Sequence, residues 1–182
     1  MILKEQNKIW SYEEYYNILD DKSYEVISGE LIMVPAPDLE HQRISRKLEI
    51  KLSLHIEKNN WGEIFDAPID VILDNQNVVQ PDIVFVSKEN SKMLEKRGIF
   101  GSPDMIVEII SPSSVKRDRY DKFIVYETFK IKEYWLIDPA NKTIEIFILE
   151  NDKYRLFCFA GTDEKAISNL IQNFEINVNE LM

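Results

Sequence analysis

Within Pro103–Asp104–Met105–Ile106–Val107–Glu108–Ile109–Ile110 a carboxylate is set among side chains that belong in a core. Burying an unpaired carboxylate costs several kcal/mol even after the surroundings relax, so the fold must bring something to Glu108 that answers its charge. The two-residue period of a strand puts Asp104, Ile106, Glu108 and Ile110 on one face. The connection Ser111–Pro112–Ser113–Ser114 is short, and the helical pattern after it, residues 114–131 with Val115, Phe123, Tyr126 and Phe129, must pack back against that strand. Asp118, Lys122 and Tyr126 recur four apart and share one face of that helix.

Around this unit the chain alternates between the two periods. Ser11 caps a short helix in SYEEYYNILD, and YEVISGELIMV reads as two short strands with a tight turn at Ser28–Gly29. Ile44, Leu48, Leu52 and Ile56 form the stripe of a long amphipathic helix over 39–60, capped by Asp38. Residues 63–87 read as β structure with a turn at Asp74–Asn77, and Pro81 stands at the edge of the last strand. The charged run 88–98 reads as a solvated helix or loop. KEYWLIDP is a strand ended by Asp138–Pro139, a hairpin comes next over 143–160, and the tail has no clear period.

These segments predict a mixed α/β (α+β) fold in one domain over residues 1–182. Its central sheet contains strands 82–86, 104–110 and 134–138, flanked by helices 39–60 and 114–131, with an extra N-terminal hairpin and C-terminal hairpin. Hydrophobic residues at 45% and charged residues at 30% suit a chain that buries its own core. The single Cys158 cannot form an internal disulfide and sits in the apolar run YRLFCFA as a packed thiol. No apolar run approaches the ~20 residues of a membrane span, and MILKEQNKIW lacks the apolar region of a signal peptide, so a cytoplasmic protein with no membrane partner is expected. A net charge of −10 repels polyanions, which counts against nucleic-acid binding unless a local basic patch or bound cations offset it.

Asp82 opens the run DIVFV directly after Pro81. If that strand neighbours the one carrying Glu108, the two carboxylates converge with the Lys122 ammonium. Converging carboxylates repel, and a shared hard cation is the usual remedy. Each residue also has a plainer account: Asp82 as a strand-start aspartate, Glu108 as half of a buried ion pair with Lys122, Lys122 as a surface partner of Asp118, and Asp104 as a strand-entry residue after Pro103. The serines at 111, 113 and 114 suggest capping and not nucleophilic catalysis, since the only histidines, His41 and His55, precede them. KRDRYDK supplies local positive charge, which a solvated helix face explains as well.

YEVISGELIMVPAP, EHQRIS, QPDIVFV, GSPDMIVEIISPSS, RDRYDKFIVYE, KEYWLIDP and VNELM, in that order, resemble the Uma2 family of the PD-(D/E)xK nuclease superfamily over nearly the whole chain. The resemblance implies a restriction-endonuclease-like fold and hydrolysis of DNA phosphodiester bonds, with Mg²⁺ or Mn²⁺ held by Asp82 and Glu108 and with Lys122 near the attacking water. It implies a homodimer as well, and it places Glu30 and His41 at family-like positions. One departure is that the lysine expected two residues after the acid is Ile110 here, so that Lys122 on the next helix takes its place. A catalytically inactive module that keeps the nuclease fold, with Glu108–Lys122 as a buried pair, is the alternative. A glycosidase would also use paired carboxylates, but it explains neither Lys122 nor the family-like segments.

Overall fold

Four apolar side chains spaced four apart decide how the layers stack. Ile44, Leu48, Leu52 and Ile56 are buried along one stripe of a helix and lie against Ile83, Phe85, Met105, Val107 and Ile109. The computed structural model describes residues 8–182, so the reading of the first residues as no signal peptide falls largely outside the described residues.

In chain order, Ser11 caps α1 (Tyr12–Tyr16) through a reciprocal pair of hydrogen bonds with Glu14. The hairpin β1 (Ser23–Ile27) and β2 (Glu30–Val34) turns at Ser28–Gly29, both at positive φ. Asp38 caps α2 (Leu39–Asn59), accepting a hydrogen bond from the His41 amide. The strands β3 (Gly62–Asp66), β4 (Val71–Asp74), β5 (Asn77–Val79) and β6 (Ile83–Ser87) come after it. The charged run 88–98 is a 3₁₀ turn leading into β7 (Leu94–Glu95) and β8 (Gly98–Phe100). Next come β9 (Met105–Ile109), α3 (Lys122–Thr128), β10 (Glu133–Asp138) and the hairpin β11 (Thr143–Glu150) and β12 (Lys153–Ala160). The tail forms β13 (Lys165–Ile167), β14 (Glu175–Asn177) and α4 (Val178–Leu181).

The fold is a mixed α+β arrangement of sheets flanked by helices. One six-stranded sheet runs β12-β11-β10-β9-β6-β3, with β9 and β10 parallel across α3 and β6 antiparallel to β9. The N-terminal hairpin is more than an appendage: it belongs to a second six-stranded sheet, β2-β1-β5-β4-β8-β7. Met105, Val107 and Ile109 face α2, whereas Ile106 and Ile110 face a second core shared with Ile27, Val71, Val79, Val125 and Tyr134. α3 and the second sheet therefore cover the face on which Glu108 lies.

Between the serine turn and α3, Arg117–Asp121 winds as a π-helical turn. The extra residue per turn puts the residues before it out of phase with those after it. Val115, expected on the apolar stripe, is consequently 43% exposed, while Tyr126 is fully buried. A second buried acid, Glu133, ties the tail to the sheet by accepting hydrogen bonds from Trp135 Nε1, Ser168 Oγ and the amides of Asn169 and Leu170. No helix among the described residues is long and apolar enough to cross a membrane.

Leu52 is fully buried between α2 and the sheet, and Leu54 on the same helix is 65% exposed. Leu52→Ala is expected to cost about 2–5 kcal/mol in denaturant unfolding, and Leu54→Ala well under ~1 kcal/mol. Equal losses would mean that α2 packs through another face.

Candidate functional site

Antiparallel pairing sets Ile83 against Val107 and Val84 against Ile106, and one further step of that register brings Asp82 opposite Glu108. Pro81 and the bend at Asp82 end regular pairing there, which frees the Asp82 carboxylate to turn back onto the sheet end. Its Oδ2 accepts the Ile109 amide at 2.7 Å and lies 3.2 Å from His41 Nε2 on the first turn of α2. Burial disfavours a charged His41 ring, yet Asp82 and Asp38 outweigh it and hold the imidazole above its ordinary pKa.

Glu108 Oε1 accepts two hydrogen bonds, from Lys122 Nζ at 2.8 Å and Tyr126 Oη at 2.6 Å. The same ammonium reaches Glu25 Oε1 on β1 at 2.7 Å, so Lys122 stands between a carboxylate of each sheet. All three side chains are no more than 5% exposed. Burial penalises the Lys122 charge, but Glu108, Glu25 and Asp118 push its pKa upward and keep it an ammonium. Glu108 itself is raised well above the usual carboxylate range by burial and by the charges of Asp118, Asp82 and Glu25, against the pull of Lys122. Burial raises Asp118 too.

These groups line one cavity of about 530 Å³, walled by residues 34–38 and 66–68 and by the turn 111–114. Six carboxylates line it (Glu25, Asp38, Asp66, Asp82, Glu108 and Asp118) against the fixed cations Arg117 and Lys122. Among the described residues, Glu25 Oε2, Asp118 Oδ1, Arg117 Nε and His41 Nδ1 are buried without a hydrogen-bond partner. Such atoms are costly in a packed interior, and here four of them face one space. The second oxygens of Asp82 and Glu108 are not among these buried atoms, but they too take no protein donor.

Asp82, Glu108, Lys122, His41, Asp118 and Tyr126 are thus brought together. Two residues are not. Glu30 lies beside the hairpin turn with its side chain exposed, because the acid of this hairpin that reaches over the second core is Glu25. Asp104 has the strand parity of Glu108 but sits at the other end of β9, where it accepts from Lys132 Nζ at 2.6 Å, the Ser87 amide at 2.8 Å and Asn90 Nδ2. Glu25 and Arg117 were not singled out by the sequence. For Glu25 a signal existed, since the period of YEVI puts it on the face of Ile27, an acid on an apolar strand face just as Glu108 is. Arg117 showed only as one charge in the run KRDRYDK, because a charged helix start is ordinarily solvated.

Residues 12–179 match the model of the Uma2 family, whose description is "Putative restriction endonuclease". Two curated proteins of Synechocystis sp. (strain ATCC 27184 / PCC 6803 / Kazusa) are similar. "Uncharacterized protein sll1609" is 28% identical, with 71% of this chain and 73% of that protein covered. "Uncharacterized protein slr1290" is 20% identical, with 86% and 83% covered. A crystal structure from Anabaena variabilis ATCC 29413, titled "putative nuclease belonging to DUF820", superposes with a TM-score of 0.77 over 94% of this chain and 96% of that one, at 17% identity, a likeness of fold.

Lys122→Met leaves Glu25 and Glu108 buried with no cation between them and is expected to cost about 3–5 kcal/mol by chemical denaturation, part of it recovered on adding Glu25→Gln. A loss below ~1 kcal/mol would show that another group compensates these acids. Asp104 supplies a pH signature. Burial opposes its ionisation, but Lys132, the Ser87 amide and Asn90 prevail and lower its pKa below the ordinary 3.8. Its contribution is therefore present above about pH 4 and lost as pH falls through the lowered value. The stability gap between wild type and Asp104→Asn should be full at neutral pH and close in acid; a gap constant with pH would contradict the clasp.

Proposed function

Since the chain belongs to the Uma2 family, we propose that it is a divalent-metal-dependent endonuclease that hydrolyses DNA phosphodiester bonds in the cavity of Asp82, Glu108 and Lys122. The observation that carries this reading is the excess of carboxylate around the cavity. Asp82 and Glu108 face each other from adjacent strand ends, each with an oxygen that no protein donor takes, in a cavity where acids outnumber fixed cations.

An all-oxygen donor pair of this kind suits a hard cation such as Mg²⁺ or Mn²⁺. No group of three His, Cys, Asp or Glu side chains among the described residues could hold a metal by itself. An ion held by Asp82 and Glu108 alone would leave its other positions to water and phosphate oxygens, as Mg²⁺ commonly prefers. Bound between Asp82 and Glu108, such an ion would supply a water of lowered pKa and neutralise charge on the phosphoryl oxygens.

The chain's own residues do the rest. Lys122 and Tyr126 hold Glu108 by one oxygen and leave the other toward the cavity; the Ile109 amide and His41 do the same for Asp82. Because its pKa is raised, Lys122 remains an ammonium and acts by stabilising negative charge, not by taking a proton. With an acidic whole-chain field, the attraction of DNA would fall to the cavity and the cation held there and not to the general surface.

One observation favours a second reading, a catalytically inactive module that keeps the fold. Lys122 already bridges Glu25 and Glu108, so the buried charge is answered in part without any ion.

On the first reading, plasmid and single-stranded DNA are cleaved in Mg²⁺ or Mn²⁺, and Glu108→Ala and Lys122→Ala each lower the rate about 100-fold or more. Calorimetric titration with Mn²⁺ detects one site in wild type and none in Asp82→Ala. No site in wild type would leave the inactive module standing, and cleavage indifferent to both alanine changes would place the activity elsewhere.

A further inference from the structure

Two arginines stand two residues apart at the start of the α3 segment, and they are treated differently. Arg119 is spent: its Nη2 lies 3.2 Å from Asp138 Oδ2 and 2.8 Å from Glu145 Oε1. Arg117 donates no hydrogen bond to the protein among the described residues, although its side chain is only 14% exposed. Its Nε lies 3.5 Å from Glu25 Oε2 and 3.7 Å from Asp118 Oδ1, and all three atoms are buried and unpartnered. The Glu25 and Asp118 side chains are 1% and 3% exposed. Two fixed carboxylates therefore hold the guanidinium at its Nε edge by charge alone and leave the forked Nη end uncommitted in the cavity that Asp82 and Glu108 line.

A planar fork with free donors, held from behind by acids, is the arrangement that takes the paired oxygens of a phosphate group. The π-helical turn explains why this residue points inward: Arg117 opens it, and its winding brings Arg117, Asp118 and Lys122 to the same cavity. An arginine buried among acids with no bonded partner leaves its donors unsatisfied, a cost that structure alone does not explain. A ligand that uses the fork gives it a purpose.

We propose that Arg117 is the phosphate-binding residue of this cavity, its Nη groups taking the non-bridging oxygens of a nucleic-acid phosphodiester beside Asp82 and Glu108. The proposal rests on the nuclease reading for the identity of the ligand, not for the anion site itself.

Binding of a short labelled single-stranded oligonucleotide is measured by anisotropy across a salt series, alongside kcat and KM for cleavage. Arg117→Gln is expected to weaken binding about ten-fold or more and raise KM in proportion, with a smaller change in kcat. The slope of log affinity against log salt should fall by about one, which a merely structural role would not produce. Lys116→Gln, one residue away on the exposed side, should change the slope little. Arg117→Lys keeps the charge facing Glu25 and Asp118 but loses the fork, and it carries the test if the glutamine variant does not fold; a several-fold loss is expected. Unchanged affinity and slope in Arg117→Lys or Arg117→Gln, or an equal loss in Lys116→Gln, would overturn the assignment. Oligonucleotide bound through Arg117 by a wild type that never cleaves would leave this inference standing and sink the nuclease reading. Cleavage with binding indifferent to Arg117 would do the reverse.

Discussion

The Lys122 ammonium, held between Glu25 of one sheet and Glu108 of the other, is the contact on which the site depends. Neither carboxylate could stay in its layer without it, because each is almost wholly buried on a face otherwise lined by Ile27, Ile106, Ile110 and Tyr126. A single cation shared by two acids needs both sheets and the helix in one arrangement, so the polar centre fixes a relation that apolar packing alone would leave freer to slide. The π-helical turn belongs to the same constraint, since it sets the phase in which Arg117 and Asp118 join Lys122.

Much of this was legible in the chain. An acid inside MIVEII had to meet a compensating group, and the short turn after it forced the next helix back onto the strand. Asp82 could reach the same point only if its strand neighboured that of Glu108, a condition the antiparallel pairing meets. What stayed hidden was non-local. The hairpin Ser23–Val34 reads locally as an appended pair, and only its pairing with Asn77–Val79, about fifty residues on, makes it the layer that delivers Glu25. Strand parity gave the face of Asp104 but not its place along the strand, which puts it with Lys132 at the far end. The four-residue period predicted Val115 inward, and one extra residue in the winding turned it outward.

The cavity is electrostatically uneven by construction. Glu133, elsewhere in the same sheet, shows how this chain buries an acid when structure alone is at stake: four donors converge on it and neither oxygen is left over. Glu108 has two donors on one oxygen, Asp82 two contacts on one oxygen, and Glu25 and Asp118 each keep an oxygen with no hydrogen-bond partner. Both kinds of buried carboxylate occur within one fold, which makes the contrast an internal control on what burial demands.

Unsatisfied buried charge is a cost that selection for stability would remove, by an apolar replacement or by completing the network as at Glu133. Its concentration in one place, while the other buried acids among the described residues are satisfied, points to groups that find their partners only when a ligand arrives. The two kinds of incomplete partner are complementary. Uncommitted carboxylate oxygens of Asp82 and Glu108 call for a cation, and the uncommitted fork of Arg117 calls for an anion. A metal ion together with a phosphate group satisfies both at once, whereas either alone leaves the other demand unmet. On the proposed reading, that joint fit, more than any single residue, would tie the burial of Glu108 to the chemistry of a phosphodiester.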